Sequence, residues 1–246
     1  MTLKLIACEI AMEEFAWAIA RSKNRILAEY LAQGHHSDVE NGRRVIQERI
    51  DAADREGVEA VLLGYALCNN MLAGIEARTK PLVIARAHDC ITWFLGSKEC
   101  YLREFEAHPG TYYYTAGWLS VRRPDDQVGK SASTSGVGAS GAYEELVARY
   151  GEDNAQYLWE IANGWIARYS RGAYVRLPGA DHAACRKKVH AICKRNGWRY
   201  AELEGNPGLL QRWLDGPWDS DDFLVVSPGQ RINPTFDNRI IAVVSP

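Results

Sequence analysis

"PLVIARAHDCITWFLGS", residues 81–97, decides the fold. Its first five residues, Pro81 to Ala85, are a short apolar run that reads as a strand buried on both faces, as in a parallel sheet covered by helices. The run then meets Arg86, His88, Asp89 and Cys90, and turns apolar again at Ile91. Ile91 to Gly96 reads as the start of a helix. Strand, polar triplet, helix is the joint of a βα unit.

Working outward, the same texture recurs. Glu59 to Tyr65 is a second buried strand, and Leu3 to Cys8 a first one. A long helical segment over Met12 to Gln33 follows the first strand, and a helix capped by Asp38 or Asn41 runs to about Arg55. Asn69 and Asn70 are placed to cap a helix toward Ala77. Strands alternating with helices predict an open parallel sheet with helices on both faces.

Downstream, Pro109 to Trp118 is aromatic and β-prone. The Gly/Ser-rich stretch 126–142 reads as a flexible loop. Gly129-Lys130-Ser131 inside it matches the end of a phosphate-binding loop, but Pro124 occupies the place of that motif's first glycine, so the match is chance. The α/β texture then resumes. Tyr143 to Tyr169 reads as helical and Gly172 to Leu177 as a strand. Asp181 caps a helix through Asn196, and Trp198 to Leu203 is a strand. Pro207 to Leu214 is a helix, and Asp222 to Ser227 and Arg239 to Val244 are strands. The expected architecture is α/β, with two Rossmann-like lobes of mainly parallel sheets: residues 1–125 carrying the site, a loop over 126–142, and residues 143–246.

The 246 residues carry a net charge of −2, which gives no basic footprint for nucleic acid, and no apolar run long enough for a membrane span. A cytoplasmic protein is expected, its six cysteines thiols or ligands rather than disulfides.

In open parallel sheets, ligands sit at the carboxyl ends of the strands. Cys8, Cys68 and Cys90 all fall there, which marks them as one metal site. His88 alternates with Cys90 along an extended segment and faces the same side, so it joins the candidate ligands. Asp89 faces away, to cap the helix at Ile91 or to act in catalysis. Glu9 at the first strand end is a candidate general base. Arg86 is placed to hold an anionic substrate, and Tyr65, Asn69 and Asn70 flank Cys68 as candidates for binding a cofactor. Cys100, Cys185 and Cys193 read as structural. Tyr112, Tyr113, Tyr114 and Trp118 read as core or as a pocket wall.

Together these segments resemble an uncharacterised bacterial and archaeal family defined as a domain of unknown function. The resemblance rests on Cys8-Glu9, Gly64-Tyr-Ala-Leu-Cys-Asn-Asn70, Arg86-Ala-His-Asp-Cys-Ile91, Pro109-Gly-Thr-Tyr-Tyr113 with Gly117-Trp118, and Trp213 to Gly229. The chain departs from the family pattern at Ala66, in place of Gly, and Ala85, in place of Pro. The resemblance implies association with corrinoid and methylamine-type methyl metabolism in some members, with a small-molecule substrate or a corrinoid protein as partner. The residues themselves leave three readings open. One is a zinc-thiolate centre, as in a methyltransferase, with a three-cysteine set or a fourth ligand in His88. Another is an iron–sulfur cluster on three cysteines. The last is a non-catalytic two-lobed binding module.

Overall fold

The computed structural model describes residues 1–32, 38–121, 147–148, 151–152, 155–156 and 168–244. The expected loop over 126–142 and most of the helix expected over Tyr143–Tyr169 lie outside the described residues.

The main sheet has five strands: β1 (Thr2–Cys8), β2 (Arg25–Leu31), β3 (Ala60–Gly64), β4 (Leu82–Ala85) and β8 (Phe223–Val226), in the order β2-β1-β3-β4-β8. β1 runs parallel to β2 and β3, and β3 to β4, with Leu5 opposite Leu62 and Leu62 opposite Val83. β8 closes the edge antiparallel to β4, with Ile84 opposite Leu224. Every residue of β3 and β4 is buried, as continuous apolar runs require.

Alternation along β1 supplies both faces. Leu3, Leu5 and Ala7 pack with Phe15 of α1 (Met12–Ile19), Trp93 of α3 (Ile91–Leu95) and Trp213 of the late helix α7 (Gly208–Asp215). Trp93 and Trp213 have ring centroids 4.5 Å apart, and the Trp213 indole N–H donates to the Val83 carbonyl at 3.2 Å. Ile6 and Cys8 face Ile46 and Ile50 of α2 (Val39–Ala53) on the other side. Asp38 caps α2 by accepting from the Asn41 amide, and the Ser97 hydroxyl likewise caps α4 (Lys98–Ala107) by accepting from the Cys100 amide.

The helix expected over Met12–Gln33 is instead α1 followed by β2. The polar link between them is held by α7: Ser22 donates to the Asp215 carboxylate at 2.8 Å and the Asn24 side-chain amide to the Leu214 carbonyl at 2.8 Å. Seven ladder positions against β1 then outweigh the helix propensity of Leu27 and Ala28. The helix expected from Asn69 toward Ala77 is also absent. That crossover is a series of turns bonded to β9 (Arg231–Pro234), which pairs antiparallel with β10 (Ile241–Val244). β9 has no counterpart in the sequence reading.

A second, wholly parallel sheet holds β5 (Thr111–Tyr114), β6 (Arg171–Arg176) and β7 (Arg199–Glu204) in that order. α6 (His182–Asn196), capped by Asp181, covers it and buries Cys185, Val189 and Cys193. α5 (Ala116–Val121) follows β5. The two sheets interleave in the chain: β5, from the first 125 residues, starts the second sheet, and β8, from the last hundred, closes the main one.

Candidate active site

β3 and β4 do not separate where their ladder ends. The Leu67 amide donates to the Ala87 carbonyl at 2.9 Å, and the Cys68 amide to the His88 carbonyl at 3.2 Å. This extra pairing carries the two post-strand loops side by side. Cys68, Asn69 and Asn70 then take left-handed backbone angles, with φ of 42°, 55° and 62°. Three successive non-glycine residues in that region are costly, since L side chains crowd the following carbonyl there. Asparagine tolerates the conformation best. Arg43 of α2 fastens the turn by donating to the Asn70 carbonyl at 3.1 Å.

The result is a thiol pair, with Cys68 Sγ and Cys90 Sγ 3.6 Å apart. A disulfide needs about 2.05 Å. Two thiolates sharing one tetrahedral zinc at about 2.3 Å each stand roughly 3.8 Å apart. The pair therefore fits one thiophilic ion. Cysteines of a four-iron cluster each hold a different iron, which requires wider spacing. The hydrogen bond with Cys90 and burial hold the Cys68 thiol well above its usual range, and the Asp89 charge adds to this.

Cys8 lies behind the pair. It is only 2% exposed and belongs to the apolar cluster against which Cys68 and Cys90 pack. Burial pushes its thiol up to about 12, with the charges of Cys90 and Glu9 contributing. Tyr65 is equally buried; burial, then the three thiols and Glu9, drives its phenol far up. Tyr65 is thus placed under the site rather than facing a ligand. His88 is exposed and lines the cleft described next, while its carbonyl serves the loop pairing. Among the described residues, no three of His, Cys, Asp or Glu are placed to ligate one ion. Two of the expected ligands meet; Cys8 and His88 stand apart from them.

A cleft of about 410 Å³ opens over the pair, between the carboxyl edge of the main sheet and the second sheet. Cys68, Asn69, Asp89 and Cys90 form one side. Tyr112, Tyr113 and Trp118 face them from β5 and α5, and Tyr101 and Phe105 from α4. Tyr114 belongs to the second sheet's core. Tyr101 and Phe105 sit one turn apart on a helix that buries no residue, the signal by which sequence could have found them. Asp89 Oδ1 accepts from the Ile91 amide at 2.8 Å, as expected of a helix-start carboxylate. Its carboxyl end is enclosed, and burial raises its pKa against the pull of that bond. Burial, with the Asp89 charge adding, also raises Tyr101 and Tyr169; Tyr113 is pushed up to about 12 by burial, then by Glu104 and Asp89. Among the described residues, no lysine or arginine lines this cleft.

Three other expected residues take different places. Arg86 donates to the backbone carbonyls of Ser220, Arg239 and Ile241, so its guanidinium holds the C-terminal hairpin rather than an anion. Asn70 shapes the turn without lining the cleft, and Glu9 begins the short turn after Cys8, also outside the cleft wall.

No curated protein and no solved structure matches the chain. A family model described as a protein of unknown function, DUF1638, matches residues 30–214, a span that holds Cys68, Cys90 and Asp89 but not Cys8. The chain belongs to the DUF1638 family.

Proposed function

We propose that the cleft is the active site of a metal-dependent transferase in which Cys68 and Cys90 hold one thiophilic ion, zinc by ligand type, above a small-molecule pocket. The observation that carries this reading is the 3.6 Å sulfur pair at the floor of the cleft. Bound there, the ion would keep thiolates ready to accept an alkyl group, or supply a Lewis acid to a substrate. Cys8, in the apolar cluster against which the pair packs, is a reserve ligand, and a substrate thiol or water completes the set. Cys68 must give up its proton to bind, so retention falls as pH falls. Asp89, its pKa raised by burial, stands at the cleft wall beside Cys90, and the tyrosines line the cleft around it. A cleft of about 410 Å³ suits a small substrate, so a corrinoid partner would act at the mouth rather than enter.

Among the described residues no third ligand joins the pair, which favours a second reading, a dithiol–disulfide couple at the same two cysteines. Metal analysis and a visible spectrum of anaerobically purified protein test both. Stoichiometric zinc in a colourless protein, lost in Cys68→Ser and Cys90→Ser, supports the first. Metal-free protein whose Cys68 and Cys90 are joined by mild oxidation supports the second. A brown protein overturns both in favour of a cluster.

A further inference from the structure

The thiol cleft is not isolated. A second cavity of about 650 Å³ lies between α4 and the turn joining β9 to β10, and it shares His88, Tyr101 and Phe105 with the first. Its remaining wall is Leu102 of α4 and Ile240 of the turn, with the polar Thr92, Lys98, Glu99, Asp237 and Asn238 also lining it. Leu102 is 53% exposed and Phe105 46%, on a helix otherwise rich in charge. Large apolar side chains kept in solvent together, beside a cavity, mark a place where apolar matter is received.

The opposite wall is held under strain. Ile240 has φ of 65°, and a β-branched residue in the left-handed region is a genuine outlier. Such strain persists only where the surroundings enforce it. Here Arg86 enforces it: its Nη1 donates to the Arg239 carbonyl at 3.0 Å and to the Ile241 carbonyl, one on either side of Ile240. Arg86 stands two residues before His88. The same loop that carries the thiol site therefore fixes the wall of the second cavity.

We propose that the ligand is bipartite. A small reactive head lies over Cys68 and Cys90, and an apolar tail, an alkyl chain or aryl group, passes His88 into the cavity lined by Leu102 and Ile240. This rests on the cleft being the ligand site, but not on the ion. His88 then acts as the divider between head and tail, which accounts for its exposure on both walls.

A series of N-alkylmaleimides from methyl to octyl, reacted with the protein as isolated and read by peptide mass spectrometry, tests this. Labelling at Cys68 and Cys90 should accelerate with chain length, by up to about fourfold per methylene over the carbons that become buried. It should saturate with reagent concentration. Leu102→Glu, at an exposed position, should abolish the chain-length dependence and leave the N-methylmaleimide rate unchanged. Leu102→Ala, a milder change at the same exposed position, should weaken the dependence and guards against misfolding of the first variant. A flat response to chain length, a dependence undiminished in both variants, or failure of every reagent to reach the two thiols overturns the proposal. Metal-free protein with an intact chain-length dependence overturns the metal reading alone. Stoichiometric zinc with a flat response overturns this one alone.

Discussion

Two pairs of cysteines in this chain share a chemistry and differ in everything around it. Cys185 and Cys193 lie eight residues apart on α6, about 12 Å along its axis, and both are buried against the second sheet. A helix fixes their separation and aims them at a core. Cys68 and Cys90 lie on two loops that no single element connects, yet their sulfurs meet. Two backbone hydrogen bonds beyond the ends of β3 and β4, and three left-handed residues, do what no helix spacing could. Neither sequence separation nor residue type distinguishes a structural thiol from a candidate ligand; the local backbone does.

Metal content is the largest effect expected to follow this contrast. Cys68→Ser or Cys90→Ser should reduce bound metal to near zero, measured by inductively coupled plasma mass spectrometry, while Cys185→Ser and Cys193→Ser leave it unchanged. Equal loss from all four would erase the distinction. Next in size is Gly172→Ala. A Cβ there would stand 2.4 Å from Cys193 Sγ, so overpacking should cost about 1–3 kcal/mol in urea unfolding without changing metal content. If metal is lost as well, the second sheet is coupled to the site more tightly than its thiols indicate.

Smaller again is Asn70→Val, expected to cost about 1–2 kcal/mol by forcing a β-branched side chain into the left-handed turn. Asn70→Gly should be neutral in stability. If the turn exists to place Cys68, the valine variant should also bind metal more weakly, by titration against a chromophoric chelator.

The smallest effect is in pH dependence. Burial raises the folded-state pKa of Asp89 and of Glu14, whose Oε1 accepts from the Gly117 amide. A raised pKa means that the folded state holds the proton more tightly than the unfolded chain. The stability each contributes is complete below the ordinary carboxylate range and is lost as pH rises through the folded value. Glu14→Gln and Asp89→Asn should each flatten that decline in a thermal-midpoint profile. An unchanged slope in both would place the titration elsewhere.

Much of the fold was legible because it rests on local patterns. The all-apolar runs of β3 and β4 announce strands buried on both faces, and Asp38 and Asp181 start helices where an N-cap is expected. β2 was not legible: Arg25 to Leu31 suits either element, and only the ladder to β1 and the link to α7 decide. The carboxyl-edge rule singled out Cys8, Cys68 and Cys90 as ligands of one ion; the sulfurs of the last two meet, but the rule is silent on depth. Cys8 is buried on the β1 face that packs on α2, and β1 alternation alone does not say which face opens. Arg86 looked like an anion-binding residue because its carbonyl partners come from the far end of the chain.

The interleaving of the two sheets bears on how the chain is made. β4 pairs with β8 across more than half the length of the chain. On the ribosome, Leu82 to Ala85 would emerge as an all-apolar strand and wait with its outer edge unpaired until Phe223 to Val226 arrived. An open apolar edge is a template for pairing between molecules. Nascent chains stalled before residue 223 should therefore recruit chaperones or aggregate, and release should follow only when β8 has cleared the exit tunnel.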